Sequence, residues 1–288
     1  MNLYTRLFLL TTLFCFALAC GEAPSQAENE ETSEEVTAAK PTSTIKGQAI
    51  DYQTDSTTMK GYLAYDESVT GKRPGVLVVH EWWGHNDYAR QRADMLAEMG
   101  YVALAVDMYG DGQQADHPDD AGKFAMSVVS NFSIGEARFL AAIETLKANP
   151  QVDAESLAAI GYCFGGGVVL SMANTGMEDL DAVVSFHGGL GLAVMPEAGK
   201  VNPRVLVCNG ADDPFISAEQ IDTYTTAMDE AGAQYEFINY PGAKHAFTNK
   251  AADANGEKFD LPLAYNQAAD EQSWAAMTTL FTEVFGQE

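Results

Sequence analysis

The sequence predicts an α/β domain, a mostly parallel central sheet with helices on both faces. Three observations predict it. Apolar runs such as Gly75-Val-Leu-Val-Val-His80 and Arg204-Val-Leu-Val-Cys208 are continuous, which marks strands buried on both faces. Segments with apolar residues at helical spacing lie between such runs. The two kinds alternate from residue 45 onward with short connections, the pattern of strand–helix–strand crossovers.

The elements follow in order. Gln48–Gln53 and Met59–Asp66 alternate in polarity and predict an opening hairpin. Gly75–His80 is a strand. Tyr88–Met99 places Ala89, Ala93, Leu96 and Ala97 on one helical face and stops at Gly100, a C-cap residue. Tyr101–Val106 is the next strand, and Ile134–Ala148 a helix ended by Asn149-Pro150. Leu157–Gly161 is a strand and Phe164–Ala173 a helix. Ala182–Phe186 and Arg204–Cys208 are strands. Ala218–Ala231 is a helix closed by Gly232, Tyr235–Tyr240 the last strand and Tyr265–Phe285 the last helix. No internal repeat and no second domain boundary interrupts residues 45–288.

Composition fits one large domain. Hydrophobic residues make up 47% of the 288, enough for a substantial core. The formal charge is −25, which excludes a nucleic-acid binder because nothing would neutralise phosphates. Arg6 is the one charge in residues 1–20; six Glu and Lys40 leave −5 in residues 21–40; the remaining 248 residues carry −21. The acidity therefore belongs to the folded part.

The amino terminus reads as an address. Arg6 precedes the apolar run Leu7–Ala19, which is too short to span a bilayer and suits the core of a signal peptide. Cys20 directly after Ala19 resembles the lipidated cysteine of a bacterial lipoprotein signal, although Ala17 and Leu18 depart from the usual pattern. An ordinary secretory signal is the alternative. Residues 1–19 are thus expected to be a signal peptide, and residues 20–44 a lipid-anchor cysteine with an acidic, flexible tether. The membrane is met only through that anchor. Cys15 leaves with the signal, so Cys163 and Cys208 are the cysteines of the body, and no disulfide is expected between them.

The most specific local signal is Gly161-Tyr162-Cys163-Phe164-Gly165, a G-x-C-x-G directly after a strand and directly before a helix. A nucleophile elbow needs small neighbours around a strained central residue. A thiol there also sits at a helix N-terminus, where the dipole favours negative charge. The bland alternative is a small buried cysteine. A nucleophile needs a base, and the base an orienting acid, on loops after later strands. His245, after Tyr235–Tyr240, is the candidate base; His187 comes too early in the chain. Glycine-to-acid spacing in Asn209-Gly-Ala-Asp-Asp-Pro selects Asp213, with Asp212 as the fallback. His80-Glu81 with His85 does not make a zinc motif, since the second histidine falls at i+5 and after a strand. No cofactor and no metal is expected.

These residues, with His80-Glu-Trp-Trp-Gly84, resemble the dienelactone hydrolase family, a cysteine-nucleophile branch of the α/β-hydrolase fold, over about residues 45–288. The resemblance implies a Cys163–His245–Asp213 triad. It also implies that Glu81 contacts the nucleophile and controls when the thiol ionises. Trp82 and Phe164 would supply the two oxyanion N–H groups. Trp83, Tyr109, His187 and Phe247 are candidates to line the substrate site. The family grips a substrate carboxylate with two arginines, and those positions here are Asp111 and Asn249. Lys244, Lys250 or Lys258 could substitute for them.

The expectation is an exported hydrolase of a small-molecule ester or lactone, acting through a cysteinyl acyl-enzyme and disfavouring anionic substrates. Rival readings are a promiscuous or peptide-directed hydrolase with the same triad, and a non-catalytic surface binding lipoprotein. Oligomeric state and physiological substrate are not set by the sequence.

Overall fold

A computed structural model describes residues 43–54 and 56–286. The expected signal peptide, Cys20 and nearly all of the tether lie outside these described residues.

Among the described residues eight strands and seven helices run in the order β1 (Ile45–Gln53), β2 (Thr58–Asp66), β3 (Arg73–Val79), α1 (Asp87–Glu98), β4 (Val102–Val106), α2 (Pro118–Val129), α3 (Phe132–Lys147), β5 (Val152–Tyr162), α4 (Phe164–Ala173), β6 (Ala182–Phe186), β7 (Arg204–Gly210), α5 (Ala218–Ala231), β8 (Tyr235–Tyr240), α6 (Ala252–Phe259) and α7 (Gln267–Phe285). The sheet order is β1-β2-β4-β3-β5-β6-β7-β8. The hairpin β1–β2 and the β2–β4 pair are antiparallel; every other pair is parallel. This is the expected α/β sheet, with α1 and α7 against one face and α3, α4 and α5 against the other.

Strand β3 shows why its run is continuous rather than alternating. Leu77 and Val79 enter the core shared with Phe139, Ile143 and Leu146 of α3 and Val169 of α4. Val76 and Val78 enter the other core, with Ala89, Ala93 and Leu96 of α1 and Met277 and Phe281 of α7. Successive residues of a strand face opposite sides, so a strand covered on both needs every position apolar. Each large side chain so buried contributes about 1.5–3 kcal/mol.

Two helices were not expected. Helix α2 carries its own signal, since Ala121, Phe124, Ala125, Val128 and Val129 fall at helical spacing after Pro118, Asp119 and Asp120, which mark a helix start. Helix α6 has eight residues and carries Asn255-Gly256 at its centre, a pair that reads as a turn. A Cβ on Gly256 would meet the Leu263 carbonyl oxygen at 2.9 Å, so the packing there requires glycine. β5 begins at Val152, five residues before the expected start, through an irregularity opposite Pro74/Gly75.

Arg92 of α1 joins distant parts of the fold. It is 4% exposed, and its Nη2 donates to Asp270 Oδ1 of α7 and to the Thr248 carbonyl, both at 2.6 Å. Tyr88, Tyr162 and Trp274 surround the guanidinium at 5.3–5.4 Å.

Register brings the strand ends level. Val79 pairs with Gly161, Tyr162 with Phe186, and Gly210 with Tyr240. The loops after β3, β5, β7 and β8 therefore leave from one edge of the sheet, where ligands of parallel sheets are bound. Among the described residues no helix is long and apolar enough to cross a membrane.

Candidate active site

Cys163 stands between β5 and α4 with φ 52° and ψ −112°, a conformation L-residues rarely hold. The surrounding glycines make it fit. A Cβ on Gly161 would lie 2.1 Å from the Gly165 carbonyl oxygen, and one on Gly165 would lie 2.3 Å from that of Val79. The Cys163 N–H donates to the Phe186 carbonyl at 3.0 Å, and Gly165 N–H to that of His80 at 3.1 Å. The cysteine is half-buried and free, as is the fully buried Cys208 of β7.

His245 and Asp213 come together from the loops after β8 and β7. The His245 Nδ1–H donates to Asp213 Oδ2 at 2.7 Å, and Asp213 Oδ1 accepts the Phe215 N–H at 2.9 Å. Asp213 is 4% exposed, whereas Asp212 points to solvent. Burial lowers the His245 value, but the adjacent Cys163 and the Asp213 carboxylate outweigh it and raise the imidazole to about 10. Nδ1 is committed to Asp213, which leaves Nε2 as the nitrogen for Cys163.

Glu81 is 3% exposed at the end of β3. Its Oε2 accepts from Asn249 Nδ2 at 2.6 Å, while its Oε1 has no partner among the described residues. Burial raises the carboxyl to about 7, against the opposing influence of Asn249, His245 and Arg92. Asn249 Oδ1 accepts the Ala251 N–H at 2.9 Å, which orients the amide with its NH2 toward Glu81.

Two cavities meet at Cys163, Trp82 and His245. One, about 270 Å³, is walled by Val128 and Val129 of α2, Phe132 of α3 and Phe164 and Val168 of α4. The other, about 240 Å³, is walled by Glu81, Trp83, Phe215, Leu261 and Leu263. Among the described residues neither is lined by a lysine or arginine. Trp82 and Trp83 contact each other at 5.0 Å, and Trp83 reaches Phe259 of α6 at 5.9 Å.

The remaining expected residues fall elsewhere. Tyr109 is 3% exposed, and its hydroxyl donates to the Trp82 carbonyl at 2.9 Å. His187 and Phe247 are fully buried behind His245 and line neither cavity. Burial pushes His187 well below its ordinary value, and its Nε2 lies 2.7 Å from Thr248 Oγ1. Asp111 is exposed. Lys250 and Lys258 border a separate polar groove beyond Trp83, and Lys244 lines neither cavity. Among the described residues no group of three His, Cys, Asp or Glu is arranged to hold a metal ion.

Sequence reasoning missed the apolar walls from α2 and from Leu261-Pro-Leu263. Leucines flanking a proline in a loop were the available signal, since loops seldom spend two leucines on solvent.

The model of the dienelactone hydrolase family matches residues 59–285. A solved structure named m3DLH is 41% identical, superposes with a TM-score of 0.78, and covers 83% of this chain and 98% of its own. A dienelactone hydrolase-like promiscuous phosphotriesterase from metagenomic libraries is 36% identical with a TM-score of 0.77, covering 83% of this chain and 98% of its own. A Bradyrhizobium protein named a probable 2-oxo-3-(5-oxofuran-2-ylidene)propanoate lactonase is 30% identical over 74% of this chain and 88% of its own.

Proposed function

The chain belongs to the dienelactone hydrolase family and is a hydrolase of lactone or ester bonds, and we propose that it cleaves a neutral, apolar substrate through Cys163, His245 and Asp213. The observation that carries this reading is the Asp213–His245 pair at 2.7 Å beside Cys163, where two cavities without cationic side chains converge.

The geometry supports the following steps. Cys163 Sγ attacks the carbonyl carbon while His245 Nε2 holds the sulfur's proton. Asp213 keeps Nδ1–H in place and stabilises the imidazolium. The N–H groups of Trp82 and Phe164, which have no acceptor among the described residues, hold the oxyanion. Collapse expels the alkoxide, which takes the proton from His245. Water then loses a proton to His245, attacks the thioester and frees Cys163. Glu81, which lines the second cavity with Cys163, changes the charge of that wall as it titrates near 7.

The walls support this substrate class. With Asn249 on Glu81 and Asp111 at the surface, nothing in either cavity matches a carboxylate. A substrate with apolar groups on both sides of the carbonyl fits. The phosphotriesterase named among the relatives supports a second reading, since a neutral phosphotriester suits the same charge-free walls.

The test is turnover of a panel of neutral esters, lactones, their carboxylate-bearing analogues and a neutral phosphotriester by the full chain and by Cys163→Ala. Neutral compounds are favoured and the variant is inactive. Full turnover by Cys163→Ala refutes the mechanism, and a preference for the anionic analogues refutes the substrate class.

Export as a lipoprotein is proposed on Arg6, the run Leu7–Ala19 and Cys20. Cys20→Ser is expected to move the protein from the membrane to the soluble fraction.

A further inference from the structure

Four hydrogen bonds behind the site have no part in the steps above. His80 is fully buried. Its Nε2 accepts the Met108 N–H at 3.2 Å, so in the neutral ring Nδ1 carries the hydrogen and donates to the Glu81 carbonyl at 2.5 Å. The ring stays neutral because burial pushes its value down to about 4. The Gly84 N–H donates to the same carbonyl at 3.1 Å. One peptide further on, the Tyr109 hydroxyl donates to the Trp82 carbonyl at 2.9 Å.

A trans peptide is planar, with its C=O and N–H pointing in opposite directions. Holding the Glu81 carbonyl toward His80 therefore turns the Trp82 N–H away from the core. Holding the Trp82 carbonyl fixes the other side of the same residue. The rings reach the second donor as well. His80 stacks on Phe164 at 5.7 Å, and Tyr109 contacts Phe164 at 5.4 Å and His80 at 4.7 Å.

We propose that His80 and Tyr109 are positioning residues that clamp the two peptides around Trp82 and so aim its N–H at the developing oxyanion. This rests on Cys163 being the nucleophile. A donor already aimed needs no reorientation when charge develops, which is where such groups act most strongly.

The test separates aim from thiol reactivity. Steady-state turnover of a neutral nitrophenyl ester is measured beside the rate of Cys163 alkylation by iodoacetamide, followed at that residue by mass spectrometry. Alkylation displaces iodide and forms no oxyanion. Tyr109→Phe removes one oxygen and keeps the ring; it is expected to lower kcat about 10-fold with KM within about 2-fold. His80→Ala is expected to lower kcat about 100-fold, and His80→Asn, which restores an N–H where Nδ1 stood, to recover most of it. Alkylation stays within about 2-fold throughout. An unchanged kcat in Tyr109→Phe, a rise in KM alone, or alkylation falling in step with kcat overturns the clamp. Cys163→Ala, measured in parallel, isolates the parent reading. Retained turnover there removes the nucleophile, whereas its loss beside an unchanged Tyr109→Phe removes the clamp alone.

Discussion

Replacing Glu81 by Gln keeps the side chain's shape and its hydrogen bond from Asn249 while deleting the titration. The folded carboxyl sits at about 7 against an ordinary value of 4.5, with burial as the leading cause. A carboxyl raised on folding holds its proton more tightly in the native state. Its stabilising contribution is full below 4.5 and is lost as pH rises through 7. A difference of about 2.5 between the two values, at 1.36 kcal/mol each, amounts to about 3 kcal/mol by pH 8.5. Wild type and Glu81→Gln should therefore have similar stability near pH 4.5. Above pH 7 the variant should gain on wild type by about 3 kcal/mol, on the order of 6–12 °C in Tm for a domain of this size. The assay is thermal unfolding of both proteins at half-unit steps from pH 4.5 to 8.5, repeated with His245→Gln to remove the neighbouring titration. A Tm difference that stays flat across this range, or that turns in favour of wild type as pH rises, refutes a buried carboxyl short of partners.

Two further outcomes follow from the same geometry. Asp213→Asn should lower kcat about 10³- to 10⁴-fold by spoiling the His245 tautomer, while Asp212→Asn, at an exposed position, stays within about 2-fold in the same ester assay. Gly161→Ala places a Cβ 2.1 Å from the Gly165 carbonyl oxygen, and urea unfolding should show a loss of about 3 kcal/mol.

Strands were legible because burial on both faces writes itself as an unbroken run, and β3 and β7 fell where they were read. Glycine spacing and the order of loops single out Cys163, Asp213 and His245, and the structure brings these three to one edge of the sheet. Helices α2 and α6 were less legible. Helix α2 has helical apolar spacing from Ala121 to Val129 and sends Val128 into the main core, but Gly122 and the acidic first turn obscure it; in α6 the central Asn255-Gly256 pair reads as a turn. Asn249 stands where the family has an arginine, and what it holds instead, the Glu81 carboxylate, is visible only in three dimensions. Tyr109 was expected to face the substrate; its hydroxyl meets a backbone carbonyl, and no one-residue signal distinguishes those roles.

Arg92 bonds to Thr248 across 156 residues of sequence and to Asp270 across 178. Thr248 belongs to the same loop as His245, and Asp270 lies in the final helix. Until that helix docks, the guanidinium is a charge without its carboxylate, and the loop it steadies lacks its anchor. Contacts so distant in sequence carry a large loop-closure cost. A chain emerging from synthesis can therefore complete its sheet while the histidine is still unplaced. In refolding, recovery of turnover should lag behind recovery of helix and strand signal, so that hydrolysis reports the last event of maturation.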